Sequence, residues 1–138
     1  TVDSVLQMTS QAREHDVFTL INALASQQAE RALRVLNRLY DTGMSVPQIL
    51  ALLYWNFRRV LVAKELLDQG RPFQSLVREL KIWSYKNREK EIHSYSNEVL
   101  SGILIALRET DRLAKTTSTD ARIHLERVIV DTCRVRSL

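Results

Sequence analysis

The sequence contains few of the residues that break helices or cross-link chains. Its 138 residues include only 3 glycines, 2 prolines and 1 cysteine. Because glycine and proline are rare and valine, isoleucine and threonine show no alternation, we do not expect a sheet protein. A single cysteine, Cys133, allows neither an internal disulfide nor a cysteine-based metal site, as is typical of proteins in a reducing compartment.

The sequence also lacks the motifs of catalysis and of phosphate binding. The histidines His15, His93 and His124 are far apart and match no metal-binding spacing. No two of the three glycines are close enough to form a phosphate-binding loop, and the serines and aspartates form no nucleophile motif. We therefore expect no catalytic residue, no metal, no cofactor, no small-molecule substrate and no intrinsic enzyme activity in this chain.

Length, composition and charge indicate an ordinary globular domain. The chain is 45% hydrophobic and 26% charged, and 138 residues are enough for one hydrophobic core. The formal net charge of +4 permits contact with an acidic partner or nucleic acid without requiring it. No signal peptide or lipidation motif is visible, so we expect a cytoplasmic protein. The sequence opens on Thr1 rather than a methionine, which favours a fragment of a longer protein.

The strongest local pattern lies in the middle of the chain, over residues 45–70. Ser45 and Gln48 have the spacing of a capping box at a helix start, and Gly70 followed by Pro72 predicts a helix end. The residues between are apolar on nearly all sides, so we expect a buried central helix with other helices packed around it. Charged pairs, the first beginning at Arg58, interrupt the apolar run well short of a membrane span.

The rest of the pattern predicts further helices on both sides of the central one. Asp16, Ser26 and Ser96 are predicted N-caps, and Gly43 is a predicted helix end. The sequence therefore predicts an all-α fold: a single helical-bundle domain of about seven helices around a long buried central helix. The flanking predicted helices cover residues 1–11, 17–25, 27–42, 73–80, 83–95, 97–115 and 120–136.

Three alternatives to a purely structural bundle follow from the residues. Residues 73–95 have the outline of a helix-turn-helix, whose second helix could read a DNA duplex. A row of arginines on residues 27–42 is usually a solvated face, but it could contact phosphate groups. A TPR-like adaptor built on residues 17–42 is weakened because no second copy follows at a fixed period. The residues concerned are Tyr85, Lys86, Arg88 and Lys90 for the duplex, and Arg31, Arg34 and Arg38 for phosphate.

Several segments resemble, in the same order, the C-terminal domain of the delta subunit of bacterial DNA polymerase III. Residues 16–24, DVFTLINAL, are similar to its start, and residues 32–36, ALRVL, to its second helix. Residues 47–62 resemble its long helix, and residues 81–83 with Asn87 and Arg88 resemble the "VW--R" element of proteobacterial members. The last match is the spacing of Tyr95, Ser96, Leu100, Leu104, Asp111 and Lys115.

The resemblance implies a role in assembly. In that family the domain is helical and forms part of a collar with other clamp-loader subunits, delta-prime and the ATPase subunits, in the complex that loads the sliding clamp on DNA during replication. It implies a division into residues 1–12, the end of a preceding domain, and 13–138, a collar-type oligomerisation domain. The parent complex would be a DNA polymerase holoenzyme, a nucleotidyltransferase. The domain itself would touch DNA only indirectly or weakly, and it would touch no membrane.

Contact residues of such a domain should be aromatic or arginine side chains that the core does not need. The same residue types also occur in helical cores, so a core role for each is an open alternative. The predicted partner-interface residues are Tyr54, Trp55, Trp83, Tyr85 and Arg88.

Overall fold

The structure of the chain is a computed structural model that describes residues 2–82 and 87–134, with side chains over 12–82 and 87–133. The described residues form seven α-helices and no strand, which confirms the prediction of an all-α helical bundle. The helices are α1 (Val2–Ala25), α2 (Ala29–Asp41), α3 (Val46–Asp68), α4 (Phe73–Leu80), α5 (Arg88–Ser94), α6 (Asn97–Thr116) and α7 (Ala121–Arg134).

Helix α3 lies at the centre of the bundle. It contacts α1, α4, α5, α6 and α7, while α2 packs mainly against α1. Helices α1 and α2 form an antiparallel hairpin, and α6 and α7 form a second pair joined by residues 117–120. The core is a single cluster of buried apolar side chains from all seven helices and the turns between them. None of the described helices is long and apolar enough to cross a membrane.

The start of α3 is the predicted capping box. The hydroxyl of Ser45 accepts a hydrogen bond from the backbone N–H of Gln48 at 3.4 Å. The side-chain oxygen of Gln48 accepts one from the backbone N–H of Ser45 at 2.9 Å. These two bonds satisfy amides that have no partner within the helix. Met44 and Ile49 occupy the two positions of a hydrophobic staple around this cap, and both are buried.

Two helices end at the predicted glycines. Gly43 follows α2 with φ of 91°, and Gly70 follows α3 with φ of 90°. A side chain is strained in this left-handed region, whereas glycine enters it without steric cost. In each turn the glycine N–H donates to a carbonyl of the last helical turn, and so does the N–H of the next residue.

The turn after α1 shows that the predicted cap at Ser26 is wrong. Gln27 takes the left-handed position with φ of 59°, and its N–H donates to the carbonyl of Leu24 at 3.1 Å. The N–H of Gln28 then donates to the carbonyl of Ala23 at 2.8 Å. These bonds close the end of α1, so Ser26 belongs to that end and α2 begins two residues later than the cap predicted.

Helix α1 is continuous, which corrects the prediction of two helices separated by an N-cap at Asp16. The carboxylate of Asp16 accepts a hydrogen bond from Arg38 of α2 at 3.1 Å. The Asp16 side chain therefore links α1 to α2 and does not cap the start of a helix. The predicted domain division between residues 12 and 13 falls inside α1 and stays a prediction.

Beyond α3, the described helices follow the predicted order. Helix α4 has the predicted bounds, and the cap of α6 is confirmed because Ser96 accepts a hydrogen bond from the N–H of Val99 at 3.3 Å. The helix predicted over 83–95 is described from Arg88 onward, as α5.

Candidate partner interface

One side of α3 is open to solvent, which corrects the prediction that helices surround it. Leu52, Trp55 and Val62 are 40%, 56% and 40% exposed, and their spacing places them on one side of the helix. The guanidinium of Arg58 lies over the indole of Trp55, 5.6 Å from the ring centroid. With the exposed Arg59, these residues form a surface that we call the outer face of α3. Exposed apolar residues that cluster around a tryptophan are typical of a protein contact.

Tyr54, the second predicted interface residue on α3, is partly buried beside this face. Its ring stands edge-on to that of Trp55, with centroids 6.4 Å apart and planes at 80°. Tyr54 also lines a cleft between the start of α3 and the end of α6. The cleft contains Asp111 and Lys115, which form an ion pair one helical turn apart at 2.8 Å. The roles of Tyr54 and Trp55 in partner contact stay predictions.

Arg88 is buried, which corrects the prediction that it is presented to a partner or a duplex. Its side chain is 0% exposed. The guanidinium lies over the ring of Phe18, 5.2 Å from the centroid, and 3.7 Å from the carboxylate of Glu91. Both neighbours offset the cost of removing a charge from water. Arg88 therefore contributes to the inside of the bundle.

Trp83 and Tyr85, the other predicted interface residues, lie outside the described residues, as does Lys86. Their roles stay predictions. In the helix-turn-helix interpretation, α5 would have to place its basic residues in a groove. Because Arg88 points into the bundle, the structure does not support duplex reading by α5.

The three arginines of α2 do not form one solvated row. Arg38 pairs with the carboxylate on α1 described above, while Arg34 is exposed. Arg31 donates a hydrogen bond to the side-chain oxygen of Asn22 at 2.7 Å, and Asn22 donates one to the hydroxyl of Tyr95 at 2.7 Å. Two of the three arginines therefore make contacts within the bundle, which leaves little of the row for phosphate groups.

Two tyrosines have hydroxyl groups withdrawn from water. Burial raises the pKa of Tyr40 to about 12, and the carboxylate of Glu126 acts in the same direction. The Tyr40 hydroxyl is buried and has no hydrogen-bond partner among the described residues, while the guanidinium of Arg122 lies 4.3 Å from its ring centroid. Burial also raises the pKa of Tyr95, although the hydrogen bond from Asn22 opposes that shift.

The residues considered for chemistry are dispersed. His15 and His93 are exposed, and His124 lies with a ring nitrogen 2.9 Å from the hydroxyl of Thr117. Cys133 is half-buried, and burial raises the pKa of its thiol. Among the residues whose side chains are described, no three metal-binding groups come together.

A second apolar surface, which the sequence did not reveal, is a groove of about 440 Å³ between α6 and α7. We call it the α6–α7 groove. The sequence signal for it is Gly102, a glycine in the interior of a helix where no turn is needed. The apolar or small lining residues are Val99, Gly102, Ile103, Ala106, Leu113 and Val128, and the polar ones are Gln27, Glu98, Glu109, Thr110, His124, Arg127, Asp131 and Thr132.

Comparison with known proteins gives consistent matches. The family model of the DNA polymerase III delta subunit, C-terminal domain, matches residues 14–132. DNA polymerase III subunit delta of Bacillus subtilis (strain 168) is 25% identical over 128 residues, which are 91% of this chain and 37% of that protein. The solved structure of the Bacillus subtilis DNA clamp loader delta protein shares the fold, with a TM-score of 0.75 and 24% identity over 88% of this chain and 37% of that one.

The chain spans little more than a third of the length of these relatives, whereas the family model covers most of the chain. The bundle is therefore a part of a larger architecture in the relatives, and its match to the family begins within α1 and ends within α7. The chain belongs to the family of the C-terminal domain of the DNA polymerase III delta subunit.

Proposed function

We propose that this chain is an assembly domain of a DNA clamp loader, which joins a delta subunit to its neighbours and carries out no chemical step itself. Membership in the delta C-terminal family supports the delta assignment. The name of the Bacillus subtilis relative, a DNA clamp loader delta protein, supports the assignment to a loader. The observation that carries the proposal is the outer face of α3, where apolar residues surround an exposed tryptophan.

The outer face has the chemistry of a binding surface. Full burial of a leucine or valine side chain contributes about 1.5–3 kcal/mol relative to exposure, so covering Leu52 and Val62 with a partner would be favourable. Tryptophan and arginine are the residue types that most often dominate the energy of an interface. Trp55 and Arg58 are already stacked on each other, so part of the ordering cost of binding is met before the partner arrives.

The partners we propose are the equivalent domains of other clamp-loader subunits, delta-prime and the ATPase subunits, arranged in a collar. Contacts in a ring join two different surfaces, so each domain needs one face for each neighbour. The domain would lie at residues 13–138, with 1–12 belonging to a preceding domain. The loader would serve a DNA polymerase holoenzyme in the bacterial cytoplasm. Contact with DNA would be indirect or weak, since Arg31, Arg38 and Arg88 are engaged within the bundle.

The test replaces Trp55 by alanine in the protein that carries this chain, mixed with the other clamp-loader subunits and observed by native mass spectrometry. We expect the wild-type protein to enter the complex and Trp55→Ala to bind at least about tenfold more weakly, the usual effect of truncating a dominant interface residue. Ile123→Ala is the matched control, because it also truncates an exposed apolar side chain, 46% exposed, but on α7.

The two possible failures have different meanings. If the wild-type protein enters no complex with the other subunits, the assembly function is wrong. If it assembles, and Trp55→Ala assembles equally well with an unchanged melting temperature, the outer face of α3 is not the contact surface.

A further inference from the structure

We infer that the α6–α7 groove is a second docking site, which takes a basic amphipathic helix of a neighbouring clamp-loader subunit. This inference rests on the proposed function and adds the place and chemistry of a second contact. The groove shares no residue with the outer face of α3, so the two surfaces can be occupied at the same time by different neighbours. Two such faces are what a subunit within a ring requires.

Gly102 provides the first observation. It is the sixth residue of α6, a helix of 20 residues, where glycine is about 0.5–1 kcal/mol less favourable than alanine. Its backbone is not in the left-handed region, unlike Gly43 and Gly70. A β-carbon added at Gly102 would meet no atom within 4 Å in the described chain. Neither backbone conformation nor packing against the described residues requires a glycine here, so we attribute it to close approach by a molecule outside the chain.

The lining of the groove fits a helix. Ala106 follows Gly102 by one turn, so both small residues lie on the same side of α6. Small residues allow the axis of another helix to approach closely, and larger apolar side chains such as Ile103 and Val128 can then surround its anchors. An amphipathic helix that lays its apolar side into such a groove is a recurring mode of protein recognition.

The charge of the groove selects a basic helix. Its lining contains three carboxylates, Glu98, Glu109 and Asp131, and one guanidinium, Arg127, which gives −3 and +1, or −2 with His124 neutral. The chain as a whole carries +4, so this lining is acidic within a basic domain. The ion pair between Glu109 and Arg112 compensates part of the charge of one carboxylate. The net charge of the groove lining stays negative. Complementary charges of this kind guide partner choice and register.

The first experiment fills the groove. Gly102→Leu is introduced into the protein that carries this chain, and its binding to the other clamp-loader subunits is measured by native mass spectrometry. We expect binding to weaken at least about tenfold, because the new side chain occupies the space of the partner helix. Ser101→Leu is the matched control: it adds the same side chain to the same helix at an exposed position outside the groove, and it should change binding less than about twofold.

The second experiment tests the charge and the kind of partner. Asp131→Lys reverses an exposed carboxylate of the lining and should weaken binding without lowering the melting temperature. A photo-crosslinking amino acid in place of Arg127 should capture a peptide from a lysine- or arginine-rich amphipathic helix of one neighbouring subunit. Capture of an acidic segment, or of no subunit in a complex that has assembled, would overturn the inference.

The outcomes separate this inference from the proposed function. If the wild-type protein fails to assemble, the proposed function is wrong. If it assembles and both Gly102→Leu and Asp131→Lys assemble equally well, the groove is not a docking site and the proposed function stands. If Gly102→Leu lowers the melting temperature, the result for Asp131→Lys decides, because the Asp131 side chain is exposed and its replacement should leave the fold intact.

Discussion

The inner and outer faces of α3 are built from similar residues and lie in different surroundings. On the inner face, Leu53 and Phe57 are almost completely buried, and on the outer face Leu52 and Trp55 remain open to water. Both faces share one helix, one capping box and one glycine end. The difference comes only from where the other helices lie. An apolar surface all round a helix therefore does not show that its own domain buries it, since a second chain can cover the remaining side.

The largest expected effect comes from two adjacent leucines, one on each face. Leu53→Ala should lower the free energy of unfolding by about 2–5 kcal/mol, because it removes buried methyl groups and leaves a cavity. Leu52→Ala is the matched control and should change it by about 0.5 kcal/mol or less. Urea denaturation of both variants measures the difference. Equal losses would mean that the two faces are not distinct in the folded chain.

A smaller effect is expected where both faces depend on the same feature, the start of α3. Ser45→Ala removes the side chain that accepts a hydrogen bond from the N–H of Gln48 and should cost about 1 kcal/mol in unfolding free energy. Ser101→Ala, an exposed serine within α6, is the control and should show no loss. An equal response of the two serines in urea would show that the capping box contributes nothing to stability.

An effect that is absent at neutral pH concerns Tyr40, a half-buried residue between the two extremes that α3 shows. Burial raises the pKa of Tyr40 from 10 to about 12, so between these pH values the unfolded chain loses the phenolic proton while the folded chain keeps it. Stability is therefore unaffected by this group below pH 10 and falls as the pH rises from 10 to about 12.

In Tyr40→Phe the free energy of unfolding should fall less steeply over this pH range, because phenylalanine does not ionise. Stability at neutral pH should change little, because the hydroxyl that is removed has no hydrogen-bond partner in the part of the chain that the structure describes. Denaturation at several alkaline pH values compares the two proteins. Parallel curves would show that the Tyr40 hydroxyl ionises alike in the folded and the unfolded chain. Tyr95 remains in both proteins and contributes equally to each.

Features that depend on neighbouring residues could be predicted from the sequence. The capping box needs only Ser45 and Gln48, and the ends of α2 and α3 need only Gly43 and Gly70, so the pattern of a few residues was sufficient. The all-α class followed in the same way from helical spacing and the lack of glycine and proline.

Features that depend on distant residues could not be predicted. Asp16 has the chemistry of an N-cap, but its carboxylate contacts Arg38 from another helix. Arg88 has the chemistry of a surface residue, but its guanidinium is buried against the ring of Phe18, which lies 70 residues away in the sequence. Gln27 takes a left-handed turn position that sequence reasoning assigns to glycine.

The candidate site was predictable in residue type and only partly in position. Trp55, one of the predicted interface residues, is exposed, and its role in partner contact stays a prediction. Leu52 and Leu53 are indistinguishable in the sequence until the positions of the other helices are known. The α6–α7 groove joins residues of two helices and could not be located from the sequence. Gly102 alone pointed to it, because an interior glycine in a helix needs a reason.

The single cysteine has a practical consequence for labelling chemistry. The thiolate is the reactive form of cysteine, and burial raises the pKa of the Cys133 thiol, so this residue should react slowly with maleimides at neutral pH. A cysteine placed at an exposed position such as Ser101 would react first. A fluorophore can therefore be attached beside the α6–α7 groove while the native thiol stays in place. The α6–α7 groove then becomes accessible to measurements of distance and of binding in solution.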